Sequence, residues 1–271
     1  MTNRIDQTFA ALKAEGRKAL ASYYMAGDPE PQTSLAVLEE LAKSVDILEI
    51  GMPFTDPMAD GPVIQAAGLR ALKAGMTLKG VMKIVQRFRS KNNGTPIVLM
   101  GYLNPIMAYG YEKFINDCKS IGIDGLIIAD LPPEEDEEIV QKAQQNNIHL
   151  IRLVAPTTNE ARLPEILKTA GGFLYYVSIA GITGTASADP VKVGTHIAAI
   201  KKQTNLPVLA GFGIKTPEDA SAMAAISDGV IVGSALIQPV AENPADPALP
   251  GKIGAMAARL ASAVRDVKKA A

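Results

Sequence analysis

Two histidines, His149 and His196, and one cysteine, Cys118, are all that this 271-residue chain offers a soft metal or a disulfide. An intramolecular disulfide is excluded, and two distant histidines do not make a zinc-type ligand set, so metal-free chemistry is expected. Net charge is equally scarce. The 27 Lys and Arg nearly balance 28 Asp and Glu, giving a formal −1 and no global field for nucleic acid or an anionic membrane. Any anionic substrate must therefore be gripped locally. No run of about 18 apolar residues exists to span a bilayer, and Met1-Thr2-Asn3-Arg4-Ile5 lacks the apolar core of a signal peptide. The expectation is a soluble cytoplasmic protein with neither nucleic-acid nor membrane partners.

What the chain does hold is core-forming sequence, with 48% hydrophobic and 20% charged residues. Eight short apolar runs bounded by Gly, Pro or Asp alternate with helix-length amphipathic segments. They run from Ala19 to Tyr24, Ile47 to Gly51, Ile97 to Gly101, Gly125 to Ala129, Leu150 to Val154, Phe173 to Val177, Val208 to Gly211 and Gly229 to Val232. Most are continuously apolar rather than alternating, which suits parallel strands covered by helices. Eight strand–helix units predict an α/β fold, a single (β/α)8 TIM barrel domain over residues 1–271.

Punctuation places the helices. Pro31 and Pro217 open helices, and Pro133 opens one whose first turn, Glu134, Glu135, Asp136 and Glu137, reads as a solvated acidic helix start. The second connection holds two helices, about Val63 to Ala74 and Leu78 to Arg89. An extra amino-terminal helix, Ile5 to Glu15, is placed to close the barrel bottom. Asn243 to Gly251 reads as a proline-rich loop before a last helix ending near Val267.

Glu49 lies within the apolar run Ile47 to Gly51, where an ionised carboxylate is costly and no neighbour supplies positive charge. Burial raises a carboxyl pKa towards neutrality, which suits proton shuttling. Eleven residues on, across a loop stiffened by Pro53, Pro57 and Pro62, Asp60 can return to the same strand end. On residues alone, Asp60 is open between helix N-cap and a catalytic carboxylate that stays ionised beside a cationic nitrogen. Gly184, Gly211, Gly213 and Gly233 with Ser234 follow the sixth, seventh and eighth runs, where barrels of this type bind phosphate on backbone N–H groups. Singly, each glycine also fits an ordinary tight turn, and Ser234 is placed to cap the turn at Ala235. Tyr102, Ala129, Leu131, Tyr175 and Phe212 lie near strand ends and suit an apolar slot for an aromatic ring, or plain core. Gly181 to Pro190 is rich in small residues and is open between a lid over the site and a surface loop. His149 and Cys118 have no activating partner in sequence and read as structural. Lys168, Lys192 and Lys215 lie outside apolar strand ends, against a Schiff-base mechanism.

The stretch from Leu48 to Pro62, with Ala26-Gly27-Asp28-Pro29, Gly181-Ile182-Thr183-Gly184, Gly211-Phe212-Gly213-Ile214 and Gly233-Ser234, resembles the tryptophan synthase alpha subunit family over almost the whole chain. The resemblance implies cofactor-free cleavage of indole-3-glycerol phosphate to indole and glyceraldehyde 3-phosphate. By matching motif, Glu49 is the general acid/base and Asp60 stabilises positive charge at the indole N–H. Tyr23, Tyr102, Tyr175, Thr183 and Phe212 contact substrate, with Thr183 closing towards Asp60, and Gly184, Gly213, Gly233 and Ser234 hold its phosphate. It further implies an alpha2beta2 complex with a beta subunit that carries pyridoxal phosphate and receives the indole, with the loops containing Pro53 to Asp60 and Tyr102 to Pro105 near that partner. One departure stands out: Ser178 is followed by Ile179 and Ala180, where some relatives carry an arginine. The alternatives are another phosphosugar barrel enzyme and a non-catalytic barrel that activates a partner. The absence of a strand lysine speaks against an indole-glycerol-phosphate synthase, and the presence of both Glu49 and Asp60 speaks against a merely activating barrel.

Overall fold

The computed structural model describes residues 2–177, 190–211 and 213–267. Nine parallel strands make one sheet: β1 (Ala19–Met25), β2 (Ile47–Gly51), β3 (Ile97–Gly101), β4 (Gly125–Ile128), β5 (His149–Leu150), β6 (Arg152–Val154), β7 (Leu174–Val177), β8 (Val208–Gly211) and β9 (Gly229–Val232). Their order is β5-β4-β3-β2-β1-β9-β8-β7-β6. The two ends of the sheet, β5 and β6, are separated in sequence only by Ile151, so the sheet rolls into an α/β TIM barrel. The fifth expected strand is thus divided in two. Its first half pairs with β4 and its second with β7, while the Ile151 N–H still donates to the Leu126 carbonyl at 2.9 Å.

Continuous apolar strands fit this architecture because both faces are covered. One face packs into the barrel interior, where Ala21, Ile47, Val98, Ile127, Leu209 and Ile231 form a cluster separate from the larger one under the helices. Helix α1 (Arg4–Ala14) closes the bottom as the sequence predicts: Ile5 and Leu12 join the interior cluster, and the Phe9 and Phe173 rings stand 5.9 Å apart. Gly125 makes room for this plug, since a Cβ there would overlap the Ile151 side chain and reach 3.1 Å from Ile5 Cδ1.

Helices α2 (Pro31–Leu41), α3 (Pro62–Lys73) and α4 (Leu78–Arg89) agree with the sequence reading. The others follow as α5 (Leu103–Tyr109), α6 (Tyr111–Ile121), α7 (Glu137–Gln145), α8 (Arg162–Leu167), α9 (Pro190–Lys201), α10 (Pro217–Ile226), α11 (Ser234–Glu242) and α12 (Leu249–Arg265). Three differ from expectation. The acidic run does not start one helix: Pro133–Glu135 forms a 3-10 turn and α7 begins at Glu137, because Asp136 turns inward, 2% exposed, into an ion pair with Arg152. Residues Leu103–Tyr109, expected to be loop in part, are helical, with the Leu103 N–H donating to Asp130 Oδ1 at 2.8 Å. Finally, α12 begins at Leu249, inside the expected proline-rich loop, with Pro250 in its first turn where the missing N–H costs nothing. Among the described residues no helix is long and apolar enough to cross a membrane.

Candidate active site

Side chains two apart on a strand share a face, so Glu49 follows Ile47 into the barrel interior. It sits in register between Tyr23 of β1 and Val98 of β3 and is fully buried. Among the described residues neither carboxylate oxygen has a hydrogen-bond partner. Burial alone acts on it, and pushes its pKa up to about 8. At neutral pH the free protein therefore holds this side chain largely protonated.

Asp60 lies half-buried in the loop between β2 and α3. The capping alternative fails geometrically: Gly61 occupies the N-cap position of α3, and no side-chain bond is made there. Desolvation lifts the Asp60 pKa to about 6, opposed by the nearby Tyr102 hydroxyl. Burial thus raises the two carboxyl groups to different extents, about 8 for Glu49 and about 6 for Asp60.

Tyr23 and Tyr175, on β1 and β7, connect the pair. Burial first, then the charges of Asp60 and Glu49, push both phenols well above the usual tyrosine range. Each phenol lies in the field of both carboxyl groups, which brings all four side chains to one end of the barrel. Close packing needs bare backbone beside the rings. A Cβ on Gly51 would overlap the Tyr23 hydroxyl, and one on Gly211 would lie 2.5 Å from the Tyr175 ring. Gly211, placed by sequence among the phosphate glycines, makes space for Tyr175. A glycine ending an apolar strand was the signal for this, but not for which ring it admits.

The remaining positions divide. Gly213 is exposed with φ of 79°, a left-handed conformation that favours glycine. Gly233 is the N-cap of α11 and exposed Ser234 its first residue, with no side-chain cap, so Ser234 does not cap the turn as expected. The first N–H groups of a helix lack partners within it and suit an anion, although here the Leu236 N–H already donates to the Gly233 carbonyl at 2.9 Å. Tyr102, directly after β3, is 3% exposed; past the end of β4, Leu131 is buried and Ala129 half-buried. Of the small-residue loop, residues 181–189, with Thr183 and Gly184, lie outside the described residues, as do Ile179 and Phe212. Sequence reasoning missed the support for α3: Asp28, fully buried, takes two bonds from Arg70 of α3 at 2.7 and 2.8 Å. That pair ties the helix following Asp60 to the end of β1, and the motif Ala26-Gly27-Asp28-Pro29 was its only trace.

A family model described as tryptophan synthase alpha chain matches residues 9–270. The crystal structure of the tryptophan synthase alpha chain from Legionella pneumophila subsp. pneumophila is similar at 39% identity, covering 98% of this chain and 99% of that one, with a TM-score of 0.89. Subunit alpha from Legionella pneumophila str. Paris is similar at 41% identity over 97% and 99% of the two chains, with a TM-score of 0.90. A chain of tryptophan synthase from M. tuberculosis, in its aminoacrylate-bound form, gives 30% identity, 97% and 100% coverage and a TM-score of 0.86. Matched along nearly its whole length in sequence and in fold, the chain belongs to the tryptophan synthase alpha chain family, cofactor-free lyases that cleave indole-3-glycerol phosphate to indole and glyceraldehyde 3-phosphate beside a pyridoxal-phosphate beta subunit.

Proposed function

We propose that Glu49 and Asp60 divide the family's retro-aldol cleavage between them. Protonated Glu49 delivers its proton to indole C3, placing positive charge on the ring nitrogen, and ionised Asp60 stabilises that charge through the indole N–H. The Glu49 carboxylate then takes the proton of the glycerol C3′ hydroxyl. As that O–H bond's electrons form the aldehyde C=O, the C3–C3′ pair returns to the ring and neutralises the nitrogen. One proton enters at carbon and one leaves from oxygen, so Glu49 ends as it began.

Gly184, Gly213, Gly233 and Ser234 hold the phosphate, and Tyr23, Tyr102, Tyr175, Thr183 and Phe212 enclose the rest of the substrate. The observation that carries this reading is a buried, unpartnered Glu49 sharing the fields of Tyr23 and Tyr175 with Asp60. The same reading extends to a single barrel domain over residues 1–271, assembled as a cytoplasmic alpha2beta2 complex. Its beta-facing surface comprises the Pro53 to Asp60 loop and α5, whose Met58 and Met107 are 70% and 56% exposed.

The test is Glu49→Gln. Indole release should fall by about 10²–10⁴-fold or more, the usual reach of general acid–base catalysis, while affinity for a phosphate ligand such as glycerol 3-phosphate stays within about threefold. A fully active variant, or loss of binding in step with turnover, defeats the assignment.

A further inference from the structure

We propose that Gln65 is a positioning residue for the cleavage: its side-chain amide, turned back from α3, sets the main chain of Asp60 and with it the direction of that carboxyl group. The inference rests on the role given to Asp60 above. Two peptide planes meet at the Asp60 Cα, and each is held. On the amino side the Asp60 N–H donates to the Pro57 carbonyl at 3.0 Å. On the carboxyl side the Asp60 carbonyl accepts from Gln65 Nε2 at 2.9 Å. Peptide planarity leaves φ and ψ as the only soft backbone angles, so fixing both planes fixes the Cα–Cβ bond that carries the carboxyl group. A primary amide has a second N–H to give, and the same nitrogen stands 3.5 Å from the Pro57 carbonyl oxygen. Gln65 therefore reaches both ends of the turn from Pro57 to Asp60.

The base from which Gln65 reaches is itself fixed. Its own N–H donates to the Gly61 carbonyl at 3.0 Å, the bond that opens α3. Further along the same helix Arg70 makes its two bonds to fully buried Asp28, whose carbonyl also accepts the Tyr24 hydroxyl at 2.9 Å. Charge-assisted bonds of this kind are the strong ones, so α3 is held to the end of β1 and Gln65 passes that placement on to the loop. The loop has a separate hold as well: the Tyr102 hydroxyl accepts the Ala59 N–H at 3.0 Å. Removing the Gln65 amide therefore frees the Asp60 carbonyl without undoing the turn. Gln65 is exposed, and one neutral hydrogen bond there adds little to global stability. Its effect belongs on turnover, not on folding.

The experiment uses Gln65→Met, which keeps side-chain length and helix propensity but has no donor, and Gln65→Asn, whose amide is one methylene shorter. Cleavage of indole-3-glycerol phosphate is followed for the full chain with beta subunit present, alongside Asp60→Asn and the double variant of Gln65→Met with Asp60→Asn. Both Gln65 variants should lose about tenfold in kcat, the scale of a misplaced reacting group, with KM within about threefold. Their unfolding midpoints, read by circular dichroism, should match the wild type. On the Asp60→Asn background, Gln65→Met should change turnover less than about twofold, since the carboxylate it places is gone. Undiminished kcat in both Gln65 variants, the same fold-loss on both backgrounds, or a rise in KM alone overturns the proposal while leaving Asp60's role intact. Unchanged turnover of Asp60→Asn overturns that role and the proposal with it. Should the midpoints fall, the cycle read on the folded fraction still decides, and an additive loss there is a refutation.

Discussion

At the scale of single residues, the proposed site is two carboxyl groups whose pKa values are raised to different extents by burial. Glu49 at about 8 and Asp60 at about 6 leave a window in which the first carries its proton and the second does not. If cleavage begins from that pair, kcat/KM should trace a bell whose limbs lie near those two values, because it reports the free enzyme. Activity is lost on the acid side as Asp60 protonates and on the alkaline side as Glu49 ionises. Stopped assays of indole release across pH 5 to about 9.5 would check it; a profile that rises through the acid limb and stays flat above removes the requirement for a protonated Glu49. The burial of Glu49 without a partner was legible in sequence, because its strand is apolar and nothing near it offsets a charge. Whether Asp60 caps the next helix was not, because Asp-Gly-Pro before a helix is also how a cap looks, and only the geometry gives that position to Gly61.

At the scale of elements, strands and most helices were legible because their burial follows local pattern, whereas three of the departures depend on partners elsewhere in the chain. Helix α5 gains its first-turn bond from Asp130, which lies 27 residues beyond Leu103. Asp136 leaves the acidic helix start because Arg152, on a later strand, draws it inward. The break at Ile151 arises where the sheet closes on itself, a constraint absent from any local run. The bottom plug was legible from the amphipathic pattern of α1, and its energetics can be tested apart from catalysis. Ile5 is fully buried in the interior cluster, so Ile5→Ala leaves a cavity and should lower unfolding free energy by about 2–5 kcal/mol. Glu49 and Asp60 lie at the other end of the barrel, so KM should stay at the wild-type value in the folded fraction. Denaturant titration and kinetics at a temperature well below the transition would check this. A normal midpoint would mean that α1 does not plug the interior.

At the scale of the whole molecule, the barrel must carry the cost of Glu49, an unpaired carboxyl held where folding would favour a neutral side chain. Linkage turns that cost into a pH dependence of global stability. The Glu49 pKa is raised from 4.5 when unfolded to about 8 when folded. Between those values the folded protein keeps a proton that the unfolded chain has released, so stability falls as pH rises through this range and levels off above it. Asp60 acts in the same direction over a narrower span and is common to wild type and variant. Glu49→Gln removes the titration and leaves a pH-independent amide, so the stability difference between variant and wild type should grow in favour of the variant. The gain from about pH 5 to about pH 8.5 should be a few kcal/mol, each pKa unit being about 1.4 kcal/mol. Paired denaturant titrations at the two pH values measure it directly. A difference that does not change with pH would mean that the folded barrel does not hold Glu49 protonated, and the proton that the cleavage needs at indole C3 would have to come from elsewhere.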